Sequence, residues 1–387
     1  MPNASSPLAD QRVLLVSAFD PWAVGNGSSM RARRWCDALQ GAAGQFHAVV
    51  VPVVASDAAS PYPRIELPDD HALVRHAALL MQPRWRDWMV RAAPLPPSAA
   101  RAPAWMGRGL LGQLPWRPQL VVAFKQAVAP MAADLALECG APLLVDLDDD
   151  EPALAQRAGA ADAAALERLT RGVGELAAVV TVASPDDAEA VRGRVAAAVQ
   201  VVPNCVDVPD PSPPAGVPGR ALYVANFGYG PNREAARWLR DRVLPLVHGL
   251  RGLSVVGAGS EALGFVEPVH GLGRVPQLAE HYAAVSVVLC PLLAGSGTSI
   301  KVVEALAHGR AVVTTSAGAR GLGLVPGEHA AVSDDPIGFA ADITRLLGRP
   351  EEAAAMGARG RAWVQANYST ATGTGAMVAA ATAALGR

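Results

Sequence analysis

The residues best suited to bind a ligand lie in a glycine- and serine-rich loop within residues 290–315, CPLLAGSGTSIKVVEALAHGRAVVTT. A short apolar run ends at Pro291, the loop occupies Gly295–Thr298, and a helix is predicted to begin near Ser299. Glycines let a ligand approach the backbone closely, and the first amides of a helix have no partner inside it. Together with the helix dipole, these amides form a site for phosphate. We expect the helix to stop at Gly309, because glycine suits the left-handed residue that follows a helix.

Two charged residues of this predicted helix extend the anion site. Lys301 adds a mobile cation early in the helix. Glu304 lies further along, where its carboxylate could accept hydrogen bonds from two sugar hydroxyls. The alternative interpretation is a tight strand–helix connection with a lysine and a glutamate on its surface.

A second polar loop follows the first predicted strand. It contains Gly25, Asn26, Gly27 and Ser28, with a helix N-cap predicted at Ser28 or Ser29. The loop does not read GxGxxG, so a dinucleotide-binding fingerprint is absent. Arginines 31, 33 and 34 follow on the predicted helix, and at least one of them is expected to be a solvated surface charge.

The elements that must position these loops are short apolar runs alternating with helical patterns, which is typical of βα units on parallel sheets. Continuous apolar runs suit strands that are covered on both faces. The strands predicted in the first half are Val13–Ser17, Ala48–Val54, Leu120–Phe124, Leu143–Asp146, Ala178–Val182 and Val199–Val202. Those predicted in the second half are Ala221–Ala225, Leu253–Val256, Ser286–Leu289, Ala311–Thr314 and Ala330–Val332.

The proline-rich segment Asp207–Gly219 has no periodicity and is interpreted as a linker. A length of 387 residues suits two domains, predicted at residues 1–205 and 206–368. The Ala-rich residues 369–387 are predicted to form a final helix that could pack back on the first domain.

Composition restricts the class of protein. With 51% hydrophobic residues, 18% charged residues and a net charge of −2, the chain is neither disordered nor a nucleic-acid-binding protein. The four cysteines are far apart, so reduced thiols are expected and a structural zinc site is not. No secretory signal and no apolar run of about 20 residues is found. We therefore expect a cytoplasmic protein, either free or at the inner face of the membrane.

An arginine- and tryptophan-rich insertion, predicted at about residues 57–118, interrupts the first domain. Residues 71–120 contain seven arginines, one acid and four of the chain's eight tryptophans. The region could be an acceptor platform, a peripheral membrane contact or ordinary packing, since tryptophan and arginine suit both sugars and anionic headgroups.

Five segments of the second half carry a family resemblance. They are Val202–Asp207 (VPNCVD), Asn226–Asn232 (NFGYGPN), Val255–Gly259 (VVGAG), Gly297–Ala305 (GTSIKVVEA) and Ala317–Leu322 (AGARGL). In this order and spacing, residues 201–369 resemble the C-terminal domain of the retaining GT-B glycosyltransferases called family 4, or glycosyl transferases group 1. The resemblance implies an α/β fold of two facing Rossmann-like domains with parallel sheets and a cleft between them.

The resemblance also implies a donor site for a nucleotide diphosphate sugar, without a metal or another cofactor. Glu304 would hold the ribose hydroxyls, and Lys301 would hold the diphosphate and stabilise it as the leaving group. The other donor-binding residues would be Gly297, Thr298, Ser296, Ser299, Arg274, Val275, Asn226 and Gly228. Three positions depart from the family pattern: Ser296 replaces a sugar-binding Glu, Asn226 and Asn232 stand at the usual Arg and Lys, and Cys205 replaces a glycine.

The acidic run at residues 146–151, DLDDDE, admits four interpretations. It could be a DxD metal site of the GT-A kind, the start of a dehalogenase-type phosphatase, or a set of helix-capping acids. In the GT-B resemblance it is a cleft-edge loop with an acceptor-side role, and one branch of the family carries DLDD. On that interpretation Asp148 is the first candidate for a catalytic residue and Asp149 the second.

The predicted function is transfer of a sugar, with retention, from a nucleotide diphosphate donor to a small molecule, a glycan or a lipid-linked acceptor. Two alternatives remain open at this stage: a nucleotide-sugar epimerase, and a non-catalytic nucleotide-binding protein.

Overall fold

A computed structural model describes residues 6–23, 27–51, 61–64, 96, 99, 106–157, 159–214, 216–294 and 297–386. Most of the predicted insertion, including Trp85, Trp88 and Trp105, lies outside these residues. The chain divides into two compact units. The N-terminal unit comprises Met1–Pro203 and Gly373–Arg387, and the C-terminal unit comprises Asn204–Thr372.

Twelve strands are found in the described residues. They are β1 (Arg12–Ser17), β2 (Gln45–Val50), β3 (Leu120–Phe124), β4 (Leu143–Asp148), β5 (Val179–Val182), β6 (Ala198–Val201), β7 (Arg220–Val224), β8 (Gly252–Val256), β9 (Val269–Gly271), β10 (Val287–Cys290), β11 (Ala311–Thr314) and β12 (Ala331–Val332).

The α-helices of the same residues are α1 (Gly27–Ala42), α2 (Met106–Leu111), α3 (Ala129–Cys139), α4 (Glu151–Arg157), α5 (Ala163–Leu176), α6 (Pro185–Arg192), α7 (Gly230–Trp238), α8 (Leu278–Ala283), α9 (Ile300–Ala307), α10 (Ser316–Ala319), α11 (Pro336–Gly348), α12 (Pro350–Asn367) and α13 (Thr370–Leu385). A π-helical turn, Leu239–Val243, extends α7. None of these helices is long and apolar enough to cross a membrane.

Each unit is built on one parallel six-stranded sheet. The strand order is β2-β1-β3-β4-β5-β6 in the N-terminal unit and β12-β11-β10-β7-β8-β9 in the C-terminal unit. Alternate residues of a strand point to opposite faces, so the apolar run of β1 serves two cores. Leu14 lies in one buried cluster, and Leu15 lies in another, which also contains Met377 and Ala380 of α13. The predicted fold class, two α/β domains with parallel sheets, is confirmed.

Three local predictions were wrong. The predicted strand Ala48–Val54 begins earlier, at Gln45, because β2 pairs with β1 in parallel from Arg12 onward. The three-residue strand β9 was missed because its sequence, VHG, is too short to show a pattern. The N-cap predicted at Ser28 or Ser29 is wrong, because α1 already includes Gly27.

Candidate functional site

The polar motifs of both units follow the carboxyl ends of parallel strands, where open α/β sheets bind their ligands. In the C-terminal unit the glycine- and serine-rich loop follows β10, and in the N-terminal unit the acidic run completes β4.

The loop after β10 has the backbone expected of an anion site. Gly297 is left-handed, with φ of 64°. Asn204 donates a hydrogen bond of 3.1 Å from Nδ2 to Thr298 Oγ1 and holds the loop to the first residues of the unit. Ser299 is the extended N-cap of α9, and its side chain makes no capping bond. Because the first bond within α9 runs from the Val302 amide to the Ser299 carbonyl, the preceding amides have no acceptor inside the helix. Ser296, the remaining loop candidate, lies outside the described residues.

Lys301 and Glu304 lie on one face of α9. Their side chains form an ion pair, with 3.2 Å between Lys301 Nζ and Glu304 Oε2. The lysine side chain is 36% exposed and the glutamate 16%, so the ammonium can reach a ligand while the carboxylate is largely covered. The predicted end of the helix is confirmed by Gly309, whose φ is 68°.

Buried groups beneath Glu304 support this face of α9. The Tyr282 side chain is buried, and both burial and the charge of Glu304 raise its pKa well above the usual value. Its ring stacks on His308 with 4.5 Å between the ring centres. Burial raises the pKa of the nearby Cys290 thiol to about 12, so this cysteine is a packing residue and not a nucleophile. Tyr282 had no distinguishing sequence pattern and was missed.

The turn between β7 and α7 uses its asparagines to hold its own backbone. Asn226 Oδ1 accepts a 3.0 Å hydrogen bond from the Gly228 amide, and Asn232 Nδ2 donates to the Asn226 carbonyl at 2.9 Å. Arg233 Nη1 donates to the carbonyls of Phe227 and Gly228, at 2.8 and 2.7 Å. Asn226 and Gly228, the two predicted donor-binding residues of this turn, are thus hydrogen-bonded to each other. Arg233 adds a cation to the turn that was not among the residues implied by the family resemblance.

The turn after β9 positions Arg274 and Val275, two of the predicted donor-binding residues. Gly273 is left-handed, with φ of 66°, and its amide donates to Ser260 Oγ at 2.8 Å. Arg274 is exposed, whereas Val275 is half-buried against the apolar cluster that contains α9. Helix α8 begins at Leu278, two residues after Pro276.

In the N-terminal unit two buried cations, Arg31 and Lys125, pair with four carboxylates of the acidic run. Asp146, within β4, is fully buried and accepts hydrogen bonds from Arg31 Nε at 3.1 and 3.2 Å and from Trp35 Nε1. Lys125 Nζ lies 3.1 Å from Asp148, 3.4 Å from Asp149 and 3.4 Å from Glu151. We call these residues (Arg31, Lys125, Asp146, Asp148, Asp149 and Glu151) the β4 charge cluster.

Two residues of the β4 charge cluster have left-handed backbone without being glycine. The φ angles are 74° at Lys125 and 65° at Asp148. Such conformations cost about 1–3 kcal/mol each and persist only where the surroundings impose them. Asp148 is also buried and paired with Lys125, and Ser28 Oγ lies 3.4 Å from its Oδ2. The first candidate for a catalytic acid is thus held in a fixed position and largely removed from solvent.

Asp149 differs from Asp148 in exposure and in proton affinity. Its side chain is 25% exposed, against 7% for Asp148. Burial and the neighbouring carboxylate of Asp148 raise the pKa of Asp149 to about 7. Asp149 is therefore the member of the cluster better placed to exchange a proton with a ligand near neutral pH.

Replacing Asp149 with asparagine is expected to raise the free energy of unfolding by about 1–2 kcal/mol at pH 8. A carboxyl group that binds its proton more tightly when folded makes stability fall as pH rises from about 4 to about 7. The gain should therefore be small near pH 4, where the folded state is protonated and about half of the unfolded state is still ionised. Urea unfolding at pH 4, 6 and 8 measures this, with the exposed Asp10→Asn as control. A gain independent of pH would contradict the assignment.

The acidic run and the loop before α1 were also candidates for ligand binding in this unit. No group of three His, Cys, Asp or Glu side chains in the described ranges could hold a metal ion. The carboxylates of the predicted DxD motif instead face Arg31 and Lys125. Gly25 and Asn26 lie outside the described residues, and Gly27 is exposed at the start of α1.

The rarity of lysine in this chain is a sequence signal that would have singled out Lys125. The chain has 33 lysines and arginines, and only two of them are lysines, Lys125 and Lys301. Each follows the carboxyl end of a buried strand, and each pairs with carboxylates. Lys301 was singled out because of its motif, whereas Lys125 has none.

Comparison with known proteins agrees with the fold. Residues 218–349 match the family model described as Glycosyl transferases group 1, which covers the β7 turn and the whole of α9. No curated protein matches the sequence at a significant level. These 132 residues therefore form a glycosyl transferases group 1 segment within the C-terminal unit.

Three solved structures resemble the whole chain at low sequence identity. Sucrose-phosphate synthase from Thermosynechococcus elongatus has a TM-score of 0.70 and 18% identity, covering 94% of this chain and 96% of that one. The Anabaena protein HepE in complex with UDP has a TM-score of 0.67 and 14% identity, covering 94% and 97%. A glycosyltransferase from Rickettsia africae has a TM-score of 0.63 and 12% identity, covering 94% and 96%. The chain has the GT-B fold.

Proposed function

We propose that this protein is a glycosyltransferase that uses a nucleotide diphosphate sugar as donor. The observation that carries the proposal is the match of residues 218–349 to the group 1 glycosyltransferases, since this segment contains the loop–helix with Lys301 and Glu304. The low-identity structural neighbours support a GT-B fold, and the HepE structures contain UDP or UDP-glucose. Nucleotide binding by the present chain is our inference.

The donor diphosphate binds at the amino end of α9. The amides of Gly297 and Thr298 and the ammonium of Lys301 supply the positive charge that the leaving diphosphate needs. Glu304 breaks its ion pair with Lys301 and accepts hydrogen bonds from the ribose hydroxyls. Because these groups supply the charge stabilisation, the proposed reaction requires no metal ion, and retention of the anomeric configuration is proposed from the family resemblance.

On the acceptor side we propose Asp149 as the group that accepts the proton of the attacking hydroxyl, with Asp148 and Lys125 positioning it. The acceptor is a small molecule, a glycan or a lipid-linked saccharide of the cytoplasm. A peripheral membrane contact through residues 71–120 stays a prediction, since most of that region lies outside the described residues.

A nucleotide screen tests the proposal. UDP, GDP, dTDP and ADP are added to the full chain with and without magnesium, and thermal unfolding is followed. A ligand at 100-fold excess over its Kd stabilises the folded state by about 2.7 kcal/mol. We expect one nucleotide to raise the unfolding temperature with or without magnesium, and Glu304→Ala to remove the shift.

The exposed Glu328→Ala serves as the control because it removes a carboxylate from the same unit outside α9. A shift that survives Glu304→Ala would place the nucleotide elsewhere. No shift with any nucleotide would overturn the donor site. A nucleotide sugar converted to an isomer of the same mass would indicate an epimerase, and the anomeric configuration of a transfer product tests retention.

A further inference from the structure

A cavity of about 660 Å³ lies at the opposite end of α9 from the proposed donor site. It opens between the proline-rich linker and α12, at the amino ends of β10 and β11. Its lining includes Ser212, Pro214, Ser286, Arg310, Arg361 and Gln365. Gly309, just beyond the carboxyl end of α9, also borders it, so the cavity is separate from the loop that precedes α9.

Arg310 is a buried cation with unused hydrogen-bond donors. Only 3% of the residue is exposed. Its Nη2 donates to the Pro214 carbonyl at 2.6 Å and its Nη1 to the Val285 carbonyl at 3.4 Å. Among the described residues its Nε has no hydrogen-bond partner and its charge has no acidic partner. Burial without such a partner lowers the pKa of this guanidinium.

Arg361 of α12 brings a second cation to the same cavity. Its Nη1 donates to the Ala307 carbonyl at 2.8 Å and its Nη2 to the Pro209 carbonyl at 2.5 Å. Burial and the charges of both arginines lower the pKa of His308 to about 4, so this histidine is neutral at pH 7. Two positive charges therefore meet here without a described carboxylate beside them.

Clamping of the linker explains only part of this arrangement. Each arginine satisfies two backbone carbonyls, a task that uses two of its five N–H groups. These bonds leave the Arg310 Nε without an acceptor and both guanidinium charges without a carboxylate among the described residues. A buried charge is costly unless it is paired. An anion in the cavity would accept a hydrogen bond from the Arg310 Nε and would pair with both positive charges. Two guanidinium groups match the charge of a phosphate monoester, about −1.5 to −2 at pH 7.

We propose that this cavity binds an organic phosphate, with the phosphate group on Arg310 and Arg361 and the organic part against the prolines of the linker and the alanines of α12. The volume lies within the range of small-molecule sites, about 300–1,000 Å³. The site is independent of nucleotide-sugar transfer.

Calorimetric titration of the full chain with phenyl phosphate tests the proposal. We expect saturable binding that Arg361→Gln weakens by about tenfold or more, because a charge-assisted contact is lost. Arg361→Lys, which keeps the charge, should lose less. Arg359→Gln is the matched control on the same helix, since Arg359 is exposed and donates to the Glu328 carbonyl outside the cavity. Lys301→Gln, on α9 in the proposed donor site, should also leave the affinity unchanged.

Ser212→Glu covers the case in which Arg361→Gln fails to fold. Ser212 is an exposed residue of the cavity rim, and a glutamate there would compete with phosphate for the two arginines and abolish binding. Absence of binding to the wild-type chain overturns the proposal. So does binding that Lys301→Gln removes, or binding that both Arg361→Gln and Ser212→Glu leave intact. Equal affinity for phenol would show an apolar pocket without an anion site and would also overturn it.

Discussion

Replacing Lys125 with methionine is expected to lower the free energy of unfolding at pH 7 by about 3–5 kcal/mol. The Lys125 side chain is only 6% exposed and lies within 3.4 Å of Asp148, Asp149 and Glu151. Methionine has a similar length but no charge, so the variant keeps the packing and leaves the buried carboxylates without their cation. Removal of one partner of a buried pair is costly because the remaining charge stays desolvated.

The pH dependence separates this electrostatic cost from a packing defect. In the variant the pKa of Asp149, already raised in the wild-type chain, should rise further, so its protonation at acid pH should restore part of the lost stability. We therefore expect the deficit in urea unfolding to shrink as the pH falls from 7 to 4. The control is Arg171→Met, which breaks an exposed ion pair of 2.8 Å with Glu167 and should cost about 0.5 kcal/mol or less. A deficit for Lys125→Met as small as that of Arg171→Met, or one unchanged at pH 4, would contradict the assigned role.

The fold could be predicted because most strands of the two sheets are recognisable from their own apolar sequence. Leu120–Phe124 and Ala311–Thr314 were predicted with the observed bounds, since every residue of these strands is buried. The same principle explains the error at β2, where Gln45 and His47 belong to the strand through pairing with β1 rather than through hydrophobicity. Pairing is a tertiary property, and one strand's sequence does not contain it.

The two candidate sites differed in how much of their structure could be foreseen. Lys301 and Glu304 are three residues apart on one helix, so their spacing alone predicts that they face each other. The β4 charge cluster joins Arg31 to Asp146, which is 115 positions further along the chain. Arg31 and Arg33 are chemically alike and two residues apart, but only Arg31 is buried, whereas Arg33 pairs with Asp37 at the surface. Their difference arises from the packing of α1, not from any local motif.

Replacing Lys301 with methionine is expected to lower kcat for sugar transfer about 100- to 1,000-fold, on the proposal that this ammonium stabilises the departing diphosphate. Charge on the leaving group grows in the transition state, so the loss should appear in kcat more than in the donor KM. The Lys301 side chain is 36% exposed, so the variant should fold normally, and unfolding in urea checks this. Lys301→Arg is the matched control, because it keeps the positive charge and should retain most of the activity. A loss confined to KM, or an equal loss in Lys301→Arg, would show that Lys301 binds the donor or holds Glu304 without stabilising the leaving group.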